Sequence, residues 1–97
     1  MKISKDGLFY INMPESPSMR NLKNQMIFVN MTSVGGQMPT SEALIDNMMS
    51  CFKAYPNREY APQIIFFINY EGNNFVINGD NNMGFADYLK EISKFLK

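Results

Sequence analysis

The chain has no histidine, which removes the side chain that titrates near neutral pH and the commonest metal ligand. Histidine-dependent triads, dyads and zinc sites are excluded with it. There is one cysteine, Cys51, so no disulfide can close within the chain, and a chain this small in an oxidising compartment usually carries several. A reducing cytoplasm is the expected location. Charge of one sign is missing too. Nine Lys and Arg offset nine Asp and Glu for a formal net charge of zero, so nothing draws a phosphate backbone or an anionic membrane surface from a distance. Tryptophan is absent, and the eight Phe and five Tyr are not interleaved with basic residues, which leaves base stacking in a basic groove unsupported. Nucleic acid is not an expected partner. No apolar run approaches the ~20 residues that cross a bilayer, and Met1-Lys2-Ile3-Ser4-Lys5-Asp6-Gly7 has basic residues without the apolar stretch of an export signal. No membrane association is expected.

What is present is enough for a core. Hydrophobic residues make up 45% and charged residues 19% of 97, the balance of a folded globule and not of a disordered chain. The length suits one domain over residues 1–97. Residues 7–13, closed by Pro14, read as a strand. So does 26–32, rich in β-branched and aromatic side chains and bounded by Gly35-Gly36. Those two glycines lack the Lys-Ser/Thr of a phosphate loop and mark a turn. Pro39-Thr40-Ser41-Glu42 supplies a capping hydroxyl and a first-turn carboxylate, and Leu44, Met48, Cys51, Phe52 and Tyr55 recur at helical spacing, so a helix is expected over 41–55. The strongest strand signal is 63–70, followed by a four-residue turn, 71–74, and a returning strand, 75–78. A last helix over 84–96 places Phe85, Leu89, Ile92 and Leu96 toward the sheet. The fold expected is α+β: a four-stranded antiparallel sheet with two helices on one face, in the order β-β-α-β-β-α.

Chemistry-bearing constellations are few. Cys51 has no base to deprotonate it and lies about two turns from the helix start, so a packed thiol is expected. Asp80, Asn82 and Glu91 sit at the first, third and twelfth positions of a calcium loop, but the sixth position is Phe85 where that loop needs Gly. Asp80, Asn81 and Asn82 are instead expected to form a turn and cap the last helix. The carboxylates show no spacing that demands a catalytic pair. Tyr55, Arg58, Glu59 and Tyr60 combine two tyrosines with one of only two arginines, the residue types enriched where proteins bind each other. They are the candidate partner-binding residues. The competing reading is a helix-to-strand connection whose tyrosines cover the core edge.

Function is therefore expected to be non-enzymatic: a small cytoplasmic interaction module of the inhibitor, immunity-protein or antitoxin kind that docks on another protein, with no cofactor. The alternative is a small-molecule binder with a Phe- and Met-lined pocket between sheet and helices. A third possibility is an enzyme relying on carboxylates, Tyr and Lys. The strands 8–11, 26–29 and 64–68 are apolar on both faces, yet two helices cover only one face of a sheet. A second copy covering the other face, as a homodimer through the sheet, is the expectation that follows.

Overall fold

The computed structural model describes residues 2–13, 26–35, 39–54, 63–70, 72–80 and 82–95. They form strands β1 (Lys2–Ile3), β2 (Phe9–Asn12), β3 (Met26–Ser33), β4 (Gln63–Tyr70) and β5 (Asn73–Gly79), with helix α1 (Ser41–Lys53) between β3 and β4 and helix α2 (Phe85–Ser93) after β5. The class is α+β, as expected. The sheet is not the expected four-stranded antiparallel one: it has five strands in the order β1-β2-β3-β4-β5, and its central pair is parallel. The reason for the parallel pair is the connection. A helix between two strands returns the chain to the end where the first strand began, so β4 enters beside β3 in the same direction, from Met26 opposite Gln63 to Thr32 opposite Asn69. Every other pair is antiparallel.

The additional strand is β1. Two residues give no period to read, and the strand exists because the turn after it folds back on β2. Gly7, at φ 74°, donates its N–H to the Ser4 carbonyl at 3.0 Å, and the Ser4 N–H reaches the Phe9 carbonyl at 2.8 Å. Asp6 Oδ1 accepts the Leu8 N–H at 3.0 Å within the same turn. At the other hairpin Tyr70 pairs with Asn73, so the connection is two residues long instead of four. Gly72 supplies the positive φ, 79°, that a tight hairpin turn needs, which lets Asn73 and Asn74 join the ladder.

Thr40 caps α1, its Oγ1 accepting the Ala43 N–H at 3.1 Å. Behind the cap Leu44, Ile45, Met48, Cys51 and Phe52 are buried against Phe9, Ile27, Val29, Met31, Ile64, Phe66, Ile68 and Ile77 in one cluster. Tyr70 closes one side, donating its hydroxyl to the Pro39 carbonyl and stacking on Phe9 with centroids 6.5 Å apart. Phe52 meets Phe66 edge to face at 6.0 Å. Asn47 is the one buried polar side chain of α1, and its Nδ2 donates to Asp6 Oδ2 at 2.9 Å and to the Ala43 carbonyl at 2.8 Å. The first of these bonds ties the first hairpin turn to the helix, and the second holds the amide in place within it.

Helix α2 departs from expectation twice. Its cap is not Asp80 or Asn82: Asp87 Oδ2 reaches back to accept the Gly84 N–H at 3.1 Å, while Asp80 Oδ1 accepts the Asn82 N–H at 2.8 Å and only shapes the turn. Asn81 and Leu96 lie outside the described residues. The residues that bury are Tyr88 and Ile92, whereas Phe85 and Leu89 are 41% and 39% exposed. The apolar stripe of this helix is wider than the groove it fills, so its centre docks and its flank does not. The docking is close. A Cβ on Gly79 would stand 2.8 Å from both Phe66 Cε2 and Tyr88 Oη, so the end of β5 must be glycine for the Tyr88 ring to sit there.

Candidate functional site

Among the described residues, Cys51, Tyr88 and Asp6 are each tied into the fold by burial or hydrogen bonds. Cys51 is buried, its Sγ lies 3.4 Å from the Asn47 carbonyl as a donor, and burial pushes the thiol up to about 12. A thiol held protonated is not a nucleophile at neutral pH. Burial, with the Asp80 charge adding to it, likewise holds the Tyr88 phenol well above its ordinary range. Asp6 moves the other way. Its partial burial favours the neutral acid, but hydrogen bonds from Ser4, the Leu8 N–H and Asn47 outweigh that and hold the carboxyl below its ordinary value. Among the described residues no three carboxylate or thiol side chains come together as metal ligands would, and no helix is long and apolar enough to cross a membrane. Tyr55, Arg58, Glu59 and Tyr60, the residues favoured from sequence, lie outside the described residues.

The feature that stands out is the sheet face opposite the helices. Both helices pack on the face formed by Phe9, Val29, Met31, Ile64, Phe66, Ile68, Phe75 and Ile77. The strand register sets the remaining side chains in rows across the other face. One row runs Ile3, Tyr10, Thr32, Asn69, Asn74. The next runs Asn12, Asn30, Phe67, Val76, and below it come Phe28, Ile65 and Asn78, then Met26 and Gln63. Not one of these side chains is charged. Charged residues make up about 25% of a typical domain and gather at its surface, so an exposed face with none is a departure.

Its apolar residues are open. Met26 is 56% exposed, Phe28 54%, Val76 47% and Phe67 40%. Phe28 and Phe67 are diagonal neighbours with ring centroids 5.8 Å apart, and Ile65, directly opposite Phe28, is buried on this side without belonging to the helix-covered cluster. The rings and Ile65 form a small apolar island that needs no helix. Beside it lies a cavity of about 240 Å³ whose lining includes Asn30, Thr32, Phe67, Asn69, Asn74 and Val76. Amides and a hydroxyl on one side and an aromatic edge on the other offer donors, acceptors and apolar contact together.

The sequence signal for this face was the failure of alternation in Ile64-Ile65-Phe66-Phe67-Ile68, where both sides of a strand are apolar. Its asparagines gave no signal, because an exposed Asn on a strand is ordinary until its register neighbours are known. Comparison with known protein families, curated proteins and solved structures finds no match.

Proposed function

We propose that this chain is a small non-enzymatic protein–protein interaction module of the inhibitor, immunity-protein or antitoxin kind, acting in the cytoplasm by docking its open sheet face on a partner protein. The observation that carries this reading is the uncharged face itself. Interface cores are depleted of charge and enriched in aromatics and Met relative to other surface, which is the composition of the rows around Phe28, Phe67 and Met26. With no partner present, a second copy covers the same face, since two uncharged faces meet without repulsion. The small-molecule alternative has less behind it: the cavity of about 240 Å³ lies on the open face instead of between sheet and helices. Drug-sized ligands usually occupy ~300–1,000 Å³.

A photo-crosslinking residue placed at Phe67 tests the docking reading in the cells that express the protein. Discrete adducts are expected from position 67 and not from Lys90 on α2, and they should vanish when Phe28→Lys is added. In purified protein the position-67 crosslinker should give self-adducts. Equal adduct patterns from both positions would overturn the proposal, as would a reproducible ligand-induced rise in Tm from a metabolite panel with no adducts at all.

A further inference from the structure

The two edges of the sheet differ in kind. At one edge stands β1, two residues long, with Lys2 in it and Lys5 and Asp6 in the turn that follows. Short length and charge are two of the ways by which proteins blunt an edge against unwanted pairing. At the other edge stands β5, seven residues that pair with β4 without interruption from Tyr70 opposite Asn73 to Ile64 opposite Gly79. It contains no charge, no proline and no bulge, and among the described residues no strand lies on its outer side. Alternate N–H and C=O groups of β5 therefore face outward as a template for another strand.

We infer that this edge recognises a second copy of the chain, the two β5 strands pairing antiparallel about Val76 and joining two five-stranded sheets into one of ten. What names the occupant is the strand's own order, Asn73-Asn74-Phe75-Val76-Ile77-Asn78-Gly79. Turned end for end and set against itself about Val76, it places Val76 opposite Val76, Phe75 opposite Ile77 and Asn74 opposite Asn78. Apolar meets apolar on both faces of the sheet, amide meets amide on the open one, and the end pair on the helix-covered side sets Asn73 against Gly79. Registers shifted to centre on Phe75 or on Ile77 keep the faces but set Val76 against an asparagine, so the match holds in one register only. No like charges confront each other when the identical strands meet. A two-fold axis through the Val76 pair, normal to the sheet, keeps both helix layers on one side and both open faces on the other. Edge pairing therefore leaves the open face free and does not depend on what docks there.

The test removes face pairing first. In the Phe28→Lys chain, whose substitution lies two strands away from the edge at an exposed position, sedimentation equilibrium at micromolar concentration should give twice 11.2 kDa. Adding Val76→Lys, which sets two ammonium groups opposite each other, should raise the dimer dissociation constant by about tenfold or more. In the Phe28→Lys chain with Cys51→Ser added, Val76→Cys should oxidise to a disulfide-linked dimer, because directly opposed strand residues lie within disulfide reach, and Asn30→Cys should not. A Phe28→Lys chain that sediments as a monomer overturns the inference. So does a Val76→Cys chain that cross-links no better than Asn30→Cys. Absence of crosslinking adducts at position 67 in the chain that keeps Phe28, beside an intact edge dimer, would instead count against the docking reading alone.

Discussion

The same strands build both faces of the sheet, and the two faces end in opposite states. Phe66 and Phe67 are neighbours in β4, chemically identical, yet Phe66 is fully buried under the helices and Phe67 is 40% exposed. Strand alternation decides which face a side chain joins. It does not decide whether that face is covered. Two helices supply enough apolar surface for one side, and the other keeps its aromatics in the open, where Phe28 and Phe67 pack against each other. The difference shows that an apolar residue on this sheet reports its burial only once the layer above it is known.

Substitutions at that neighbouring pair should show the contrast at its largest. Phe66→Ala should destabilise the fold by about 3–5 kcal/mol, the range for emptying a buried aromatic site, while Phe67→Ala should cost under about 1 kcal/mol. Urea denaturation of the two variants is the measurement, and equal losses would mean that the second face is covered. The helix repeats the comparison. Ile92→Ala should cost about 2–5 kcal/mol and Leu89→Ala clearly less, since Ile92 is 1% exposed and Leu89 39%.

Gly79→Ala sharpens the comparison from the covered side. Its methyl would meet Phe66 and Tyr88 at 2.8 Å, and overpacking of that kind typically costs about 1–3 kcal/mol. A variant as stable as the parent would show that α2 can lift off β5 freely.

Alkali should also act on the covered side. The Cys51 thiol is raised from 9.0 to about 12, so the unfolded chain loses its proton first. The stability that the neutral thiol confers is present below the unfolded value and is lost as pH rises between those limits, at about 1.4 kcal/mol per pH unit. Tyr88, raised for the same reason, adds to the loss in the same direction. Denaturation midpoints of the parent and of Cys51→Ala across that range should converge as the pH climbs.

The smallest effect belongs to Asp6, whose lowered pKa gives stability that is present above its ordinary value of 3.8 and is lost as pH falls through the folded value. Asn47→Ala removes one of the bonds responsible, so the acid limb of its stability profile should be shallower than that of the parent. A parallel limb would assign the shift to the Ser4 and Leu8 bonds.

Some of this was legible beforehand. The strand Gln63–Tyr70 stands where its β-branched and aromatic run placed it, and α1 begins at the residue that follows its threonine cap. The lack of alternation in Ile64 to Ile68 pointed to a sheet with a second apolar face. Other features were out of reach. The strand β1 is two residues long and is created by a turn, and the parallel pairing of β3 with β4 depends on where α1 returns the chain. The exposure of Phe85 and Leu89 depends on the width of the groove under α2.

The sequence by itself determined which segments could be helix or strand, because capping groups, β-branched runs and periodicity act over a few neighbouring residues. It also determined that no histidine chemistry takes place and that Cys51 has no partner for a disulfide within the chain. Tertiary structure alone decided that Asn30, Asn69 and Asn74 stand beside Phe67 and Val76, that Asn47 of the helix meets Asp6 of the first turn, and that Phe28 remains open while Val29 is buried. The physical reason is register. Residues far apart in the chain become neighbours only when strands align and a layer covers one side, and neither event leaves a local trace.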